Sequence, residues 1–470
     1  MEFVIGNRIL IKNPTDACIR WCRKNLVLDN PEFYKKQQLG KWTGNVPMQI
    51  VLYEQFGSDL LVPFGALKRL YAEFKESTWK PKFSPLKPFN YKAHINLYPY
   101  QEKAAIRALN CKNGVIVMPC GSGKTQTALE IVSRIGGRAL WLTHTQDLLN
   151  QSMNRAKSVY DCEGYGTITG GKVNIGEGIT FATIQTMVNL DLVKYSDCFD
   201  VVIVDECHKA IGSPTKVMQF YKVLSSLNCR YKFGLTATPK RADGLEASMF
   251  ALIGDVIHKV TDAEVAHTTC PVEVKIVKTS YTPNLDLVLA GDGTVNYASL
   301  VEDITNNDDR LFDVLMEIST DSRSMVLANR VEYLHRLASA YAGKSVCLSG
   351  MGNSKKAKEE RKEALRKLND GELNCVFATY QLAKEGLDVP NLRYVIFATP
   401  EKDETTVIQA AGRVARKAEG KTHGTIIDFQ DDFGMYNGWL NKRKTYYKRK
   451  GYSMVDVDYE KMEVKRDGDC

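Results

Sequence analysis

The chain has 470 residues, 44% hydrophobic and 25% charged, with a formal net charge of +8. That composition excludes a disordered or low-complexity polymer, and the length exceeds what one hydrophobic core serves, so two or three domains are expected. No apolar run reaches the roughly 18 residues of a membrane span.

MEFVIGNRIL lacks the basic start and cleavage site of a signal peptide, so a cytoplasmic location without membrane attachment is expected. Of twelve cysteines only Cys18 and Cys22 lie close together, a spacing that supports neither a disulfide framework nor a zinc site.

In chain order, residues 1–90 come first, with 14 Lys or Arg against 8 Asp or Glu. Most of the net charge therefore sits in the first fifth, which points to a polyanionic partner. Trp21, Lys24, Lys35, Lys36, Lys41 and Trp42 fall here. The reading is a small α+β domain closed by an extended linker, WKPKFSPLKPFNYK at 79–92, with three prolines and no period. From about residue 98 to 260, short apolar runs alternate with helical stretches: GVIVMP, RALWLTH, GITFATI, FDVVIVDE and YKFGLTAT. Such runs read as buried strands of a parallel sheet with crossover helices. The pattern restarts near residue 322 with SRSMVLAN, KSVCLSG, LNCVFATY, LRYVIFATP and THGTIIDF. Between them, PVEVKIVKTSYT reads as a strand and the following stretch as a loop and helical arm leading into the second domain. NKRKTYYKRKGY at 441–452 interleaves six basic residues with tyrosines and reads as a basic tail. The expected division is 1–90, 91–261, 262–440 and 441–470. The class is α/β, with two tandem doubly wound parallel-sheet domains after the small N-terminal one.

Chemistry concentrates at strand ends. After GVIVM comes PCGSGKTQTALEIV, a glycine-rich turn opening a helix. Backbone N–H groups at Gly121, Ser122 and Gly123 would cradle phosphates, Lys124 would reach the β and γ phosphates, and Thr125 would ligate Mg²⁺. The P-loop pattern places a glycine where this chain has Met118. VVIVDECHK brings Asp205 and Glu206 to a strand's carboxyl end, the edge where open α/β sheets bind ligands. Asp205 fits as the second Mg²⁺ partner and Glu206 as the base that polarises the attacking water. Cys207 and His208 lack partner ligands for a metal of their own. In GLTATPKR, Thr236 and Thr238 could hydrogen-bond Glu206 or His208 and relay nucleotide state. QAAGRVARK places Arg413 and Arg416 three apart, on one face if helical, with no carboxylate inside the segment to answer them.

With PCGSGKT, DECH, LTATP and QAAGRVAR in this order, residues 98–430 resemble the superfamily 2 helicases and translocases. PYQ at 99–101, TATPKRADG, and ATYQLAKEGLDVPNL at 378–392 are similar to XPB-type repair helicases and to the compact UvsW-type branch-migration helicases of bacteriophages. The resemblance implies two RecA-like domains, ATP and Mg²⁺ as cofactors, and Gln101 reading the adenine, with Tyr98 where an Arg often stands. It further implies Gly386 and Asp388 near the ribose, and Gln409, Arg413 and Arg416 in the final motif, the arginines answering the γ phosphate. Nucleic acid would be gripped through its phosphates by THTQDLLNQ, TITGG, ATIQTM, NRVEYL and LSG, with Thr143, Thr183, Gln185 and Asn329 as candidates. Lys442, Arg443 and Tyr446 are candidates in the basic stretch. The expectation is an ATP-dependent DNA helicase or translocase remodelling branched DNA and single-strand/duplex junctions in phage replication, recombination or repair, within the host cytoplasm. An RNA helicase, a restriction motor subunit and a non-hydrolysing clamp are the alternatives.

Overall fold

The structure is a computed structural model that describes residues 1–466 except 120, 212, 240–244, 350, 351, 353, 385–388, 390 and 462. It forms two compact units, Met1–Glu264 and Val265–Cys470. Among the described residues no helix is long and apolar enough to cross a membrane.

The first unit contains two sheets. The N-terminal one has five strands in the order Glu54–Phe56, Asp59–Pro63, Arg8–Lys12, Glu2–Ile5, Thr78–Pro81, and a separate pair joins Val27–Asp29 to Gln49–Val51. Phe3, Ile9, Ile11 and Val62 alternate onto one face of the larger sheet, as the two-residue period of a half-buried strand requires. These residues share one apolar core with Val202, Val204, Leu224 and Leu227. The small domain is thus packed onto the unit's main sheet. The expected linker is extended but fastened: Tyr91 is buried with its hydroxyl donating to Gly137 O at 2.8 Å, and Lys87 N donates to Asp200 Oδ2 at 3.0 Å.

The main sheet runs Lys172–Asn174, Tyr165–Thr169, Ile179–Thr183, Ala139–Thr143, Val201–Val204, Tyr231–Thr236, Asn113–Val117, Val256–Lys259. Apart from the antiparallel pairing at Lys172–Asn174 every neighbour is parallel. Four-residue stretches such as VVIV are buried throughout, because helices cover both faces.

The second unit repeats the plan in the order Ser345–Cys347, Cys375–Thr379, Ser324–Ala328, Tyr394–Phe397, Gly424–Gln430, Val272–Lys278, Ser453–Asp458, Glu463–Arg466. Both units are RecA-like α/β sheets. All ten apolar runs read from the sequence are strands. Two expectations change. Val272–Lys278 is an inner strand of the second sheet rather than a mere connection. The stretch from 441 onward is no tail: it is the end of a helix, Gly434–Arg449, followed by the strand Ser453–Asp458, which pairs parallel with Val272–Lys278.

Candidate nucleotide site and nucleic-acid edge

Strand Asn113–Val117 leads into the glycine turn, and Met118 N donates to Thr236 O at 2.9 Å, which ties the turn to the neighbouring strand end. Gly121 (φ +78°) and Gly123 (φ +77°) take left-handed backbone that other residues adopt at a cost. A Cβ built on Gly121 meets nothing within 4 Å, so that side of the turn is open. Helix Lys124–Ile135 starts with no side-chain cap, leaving its first-turn N–H groups to an anion. Ser122 braces the turn from within, its hydroxyl donating to Pro119 O at 2.7 Å.

Gln101, expected at the adenine, braces the phosphate turn in this structure. It is buried, its Oε1 accepts from Tyr98 N at 2.8 Å, and its Nε2 donates to Ser122 O at 2.9 Å, beside Tyr100 Oη at 3.0 Å from the same carbonyl. A Cβ on Gly123 would meet Gln101 Nε2 at 2.4 Å. In this structure Gln101 holds the phosphate turn, and its amide is already engaged at both ends.

Across the turn, Lys124 Nζ lies 3.8 Å from Glu206 Oε1. Glu206 has φ +47°, a strained backbone for a residue with a side chain, of the kind found where function over-determines geometry. The turn after Val201–Val204 packs close: a Cβ on Gly234 would reach Cys207 Sγ at 2.9 Å, so the glycine in GLTAT makes room for Cys207. Asp205 is buried, its Oδ1 accepting from Glu206 N at 3.0 Å and its Oδ2 from Ser152 Oγ at 3.3 Å. Burial first, then the Glu206 charge, holds the Asp205 carboxyl above the usual carboxylate range. Burial would also raise Glu206, but the Lys124 ammonium and His208 outweigh it and hold that carboxyl below the range. The pair is thus split into an anionic Glu206 and an Asp205 short of positive charge.

His208 Nδ1 lies 3.2 Å from Glu206 Oε2 and 3.0 Å from Thr236 Oγ1, which also accepts from Thr238 N at 3.0 Å. Of the two threonine hydroxyls expected to reach Glu206 or His208, that of Thr236 meets His208 Nδ1, whereas Thr238 takes part through its backbone N. His208 Nε2 is buried with no hydrogen-bond partner among the described residues. Two neighbours escaped the sequence reading: Ser152, and His144, whose imidazole is pushed down to about 4 by burial and by Lys209 and His208. His144 falls inside THTQDLLNQ, read as a nucleic-acid segment, and Ser152 directly follows it, so nothing local marked either as a neighbour of the carboxylates.

The nucleic-acid candidates of this unit share one sheet edge. Thr143 and Thr183 are register partners at the carboxyl ends of adjacent strands, with Thr169 ending the next one. Gln185 Nε2 donates to His144 O at 2.9 Å and joins two of these loops. Both threonine side chains are buried, Thr143 bonding to Thr145 O and Thr183 to Thr186. Backbone and Gln185 are what this edge offers outward.

In the second unit Gly386 and Asp388 lie outside the described residues. Helix Glu404–Val414 carries Gln409, whose buried Oε1 has no hydrogen-bond partner among the described residues, and Arg413, which is buried and donates to Ala383 O. The shared helical face expected for Arg413 and Arg416 is not formed. The helix ends at Val414, and Arg416, half-exposed, forms a β-bridge with Thr269 while its carbonyl accepts from Lys421 Nζ at 2.9 Å. Asn329 turns towards the second unit's own chain, its N donating to Thr399 Oγ1 at 3.0 Å. Lys442 is exposed. Arg443 and Tyr446 are not available as placed: Arg443 is 4% exposed and paired with Asp428 at 2.7 Å, and Tyr446 is buried.

A family model for the type III restriction enzyme res subunit matches residues 94–241, and one for the helicase conserved C-terminal domain matches 307–418. The chain is 24% identical over 466 residues to the probable helicase D10 of Escherichia phage T5, covering 98% of this chain and 97% of that one. It is 21% identical over 456 residues to the ATP-dependent DNA helicase uvsW of Enterobacteria phage T4, covering 89% and 87%. Two other viral helicases it matches are longer, and it spans 64% and 66% of their lengths. Its fold is similar to the fragment structure of a putative HsdR subunit of a type I restriction enzyme from Vibrio vulnificus, at TM-score 0.55 and 18% identity, covering 92% of this chain and 83% of that one.

Proposed function

The chain belongs to the superfamily 2 helicases, and from that premise we propose that it is an ATP-dependent DNA translocase that remodels branched DNA in phage replication, recombination or repair, by fork reversal and branch migration of Holliday junctions. The observation that carries the enzymatic part is the split carboxylate pair. An anionic Glu206 on strained backbone stands 3.8 Å from Lys124, beside an Asp205 short of counter-charge.

ATP would bind with its phosphates on the Gly121–Thr125 turn, and Thr125 and Asp205 would hold Mg²⁺ together with phosphate oxygens. The ion supplies charge neutralisation on the transferred phosphoryl group. Glu206 orients and deprotonates the attacking water, and Lys124 stabilises the phosphate charge. His208 and Thr236 register the change at Glu206. Gln409 and Arg416 are assigned to the terminal phosphate, with Arg413 as a support of that segment.

Nucleic acid would track the strand-end loops at Thr143, Thr183, Gln185 and Asn329 through backbone phosphates, without reading bases. For duplex contact the favoured element is the excursion 30–48. Asn30, fully buried, clamps its base by donating to Pro47 O at 2.7 Å and Met48 O at 2.9 Å. Helix Pro31–Gln38 buries no side chain, and Trp42 is 76% exposed among Lys35, Lys36 and Lys41. A basic protrusion with an exposed aromatic suits phosphate contact with stacking on an open base pair.

The test is ATP turnover and strand separation across single-stranded DNA, forks, four-way junctions and RNA duplexes at one salt concentration. Junctions should be processed and RNA duplexes left intact. Processing of RNA duplexes alone would transfer the assignment to an RNA helicase, and ATP-driven movement without junction processing would transfer it to a restriction-type motor.

A further inference from the structure

Arg443 lies in no helicase motif, yet it is among the most heavily bonded side chains of the second unit. Its Nε and Nη2 make a bidentate pair with Asp428 at 2.7 and 2.8 Å, and its Nη1 donates to Glu401 O at 2.6 Å. Asp428 is buried on strand Gly424–Gln430 and also accepts from Tyr447 Oη at 2.9 Å and Phe429 N at 2.9 Å. A guanidinium fork of this kind fixes direction as well as distance.

The carbonyl that Arg443 grips belongs to a strap, residues 399–403, between strand Tyr394–Phe397 and helix Glu404–Val414. Within it, Glu401 Oε1 accepts from Lys402 N and Asp403 N, both at 2.8 Å. Asp403 then caps the helix, Oδ2 accepting from Thr406 Oγ1 at 2.6 Å and Thr406 N at 3.3 Å. From above, Asn329 N donates to Thr399 Oγ1 at 3.0 Å, and Tyr380 Oη donates to Thr399 O at 2.5 Å. At the helix's far end Lys421 Nζ holds Val414 O at 2.6 Å and Arg416 O at 2.9 Å. The strap is therefore bonded both to a strand-end residue proposed for the nucleic-acid edge and, through Asp403, to the helix that leads to Arg416.

We propose that Arg443 is a positioning residue for nucleic-acid-stimulated ATP turnover: it anchors the strap at Glu401, so that occupancy of the Asn329 loop is passed to Gln409 and Arg416 instead of dissipating in a loose loop. The proposal rests on the assignment of Arg416 to the terminal phosphate. Arg443 itself touches neither nucleotide nor nucleic acid.

Its test uses the full chain with Arg443→Lys, and with the pair Arg443→Leu/Asp428→Leu, which removes both buried charges together and so leaves no lone ion. ATP turnover is measured with and without single-stranded DNA, alongside KM for ATP and thermal unfolding. Misplacement of a catalytic group by about an ångström costs up to roughly 10²-fold. The expected result is a DNA-stimulated kcat lower by about 10- to 100-fold, KM for ATP within twofold, and a double variant with Arg416→Ala that turns over no more slowly than Arg416→Ala alone. If the leucine pair does not fold, Arg443→Lys carries the measurement. A stimulated kcat within twofold of the parent in a folded variant overturns the proposal, as does a loss that multiplies with Arg416→Ala. Full turnover by Arg416→Ala alone overturns the assignment of Arg416 instead, a distinct result.

Discussion

Lys232 joins the N-terminal sheet to the strand that ends at Thr236, and it does so as a buried cation with no carboxylate partner among the described residues. Its Nζ donates to Leu224 O at 2.8 Å and Asn7 O at 3.2 Å and stands 4.9 Å over the Phe64 ring. Burial pushes its ammonium down to about 8. The sign follows from which state holds the proton. Below about pH 8 both folded and unfolded chains carry the charge. Between there and the ordinary value near 10.5 the unfolded chain alone holds it, so stability rises with pH across that window. At 1.36 kcal/mol per unit the gain between pH 7 and pH 9.5 is about 2 kcal/mol. Other groups titrate in that range too, so the quantity to measure is the difference between the parent and Lys232→Met under urea. Tryptophan fluorescence serves as the probe, because four of the five tryptophans (Trp21, Trp42, Trp79 and Trp141) lie in the first unit. The parent should gain about 2 kcal/mol on the variant from pH 7 to 9.5. A flat difference would mean that water reaches the ammonium where the small domain packs onto the main sheet.

Three further outcomes are expected. Gln101→Ala leaves Tyr98 N and the Ser122 carbonyl without that amide, so KM for ATP should rise by about tenfold for a loss near 1.4 kcal/mol; an unchanged KM in a folded variant would remove Gln101 from the phosphate turn's support. Glu206→Gln should abolish turnover while ATP binding, followed with a fluorescent analogue, persists; hydrolysis at the parent rate would disqualify Glu206 as the base. Replacing Lys35, Lys36 and Lys41 with Ala should lower the slope of log affinity against log salt on duplex DNA by about 0.9 per lysine, and Trp42→Ala should weaken fork binding more than single-strand binding. An unaltered slope would place duplex contact elsewhere.

The sheets were legible because parallel strands covered on both faces must be apolar along their whole length, and runs such as VVIV and ALWLT declare that locally. The phosphate turn and Asp205–Glu206 were legible for a related reason: their chemistry is packed into a few consecutive residues at a strand end. What stayed hidden depended on partners far along the chain. Arg443 and Tyr446 read as surface residues because basic and aromatic side chains alternate there. Asp428, which draws Arg443 inward, lies fifteen residues earlier on a strand. Arg416 read as helical because nothing in GRVARK breaks a helix. Its true conformation is set by a bridge to Thr269 and by Lys421, which takes up the last carbonyls. Gln101 matched its motif, but only the packed structure shows its amide committed to Tyr98 N and Ser122 O. Edge strand Val256–Lys259 reads weakly because it is mostly exposed and carries His258 and Lys259.

The proposed role of Arg416 in ATP hydrolysis is open to a single measurement. It is single-turnover hydrolysis by Arg416→Ala in the presence of forked DNA, beside its affinity for ATP. The expected rate is lower by about 10³-fold or more with ATP affinity retained. A rate within a few-fold of the parent would contradict that role.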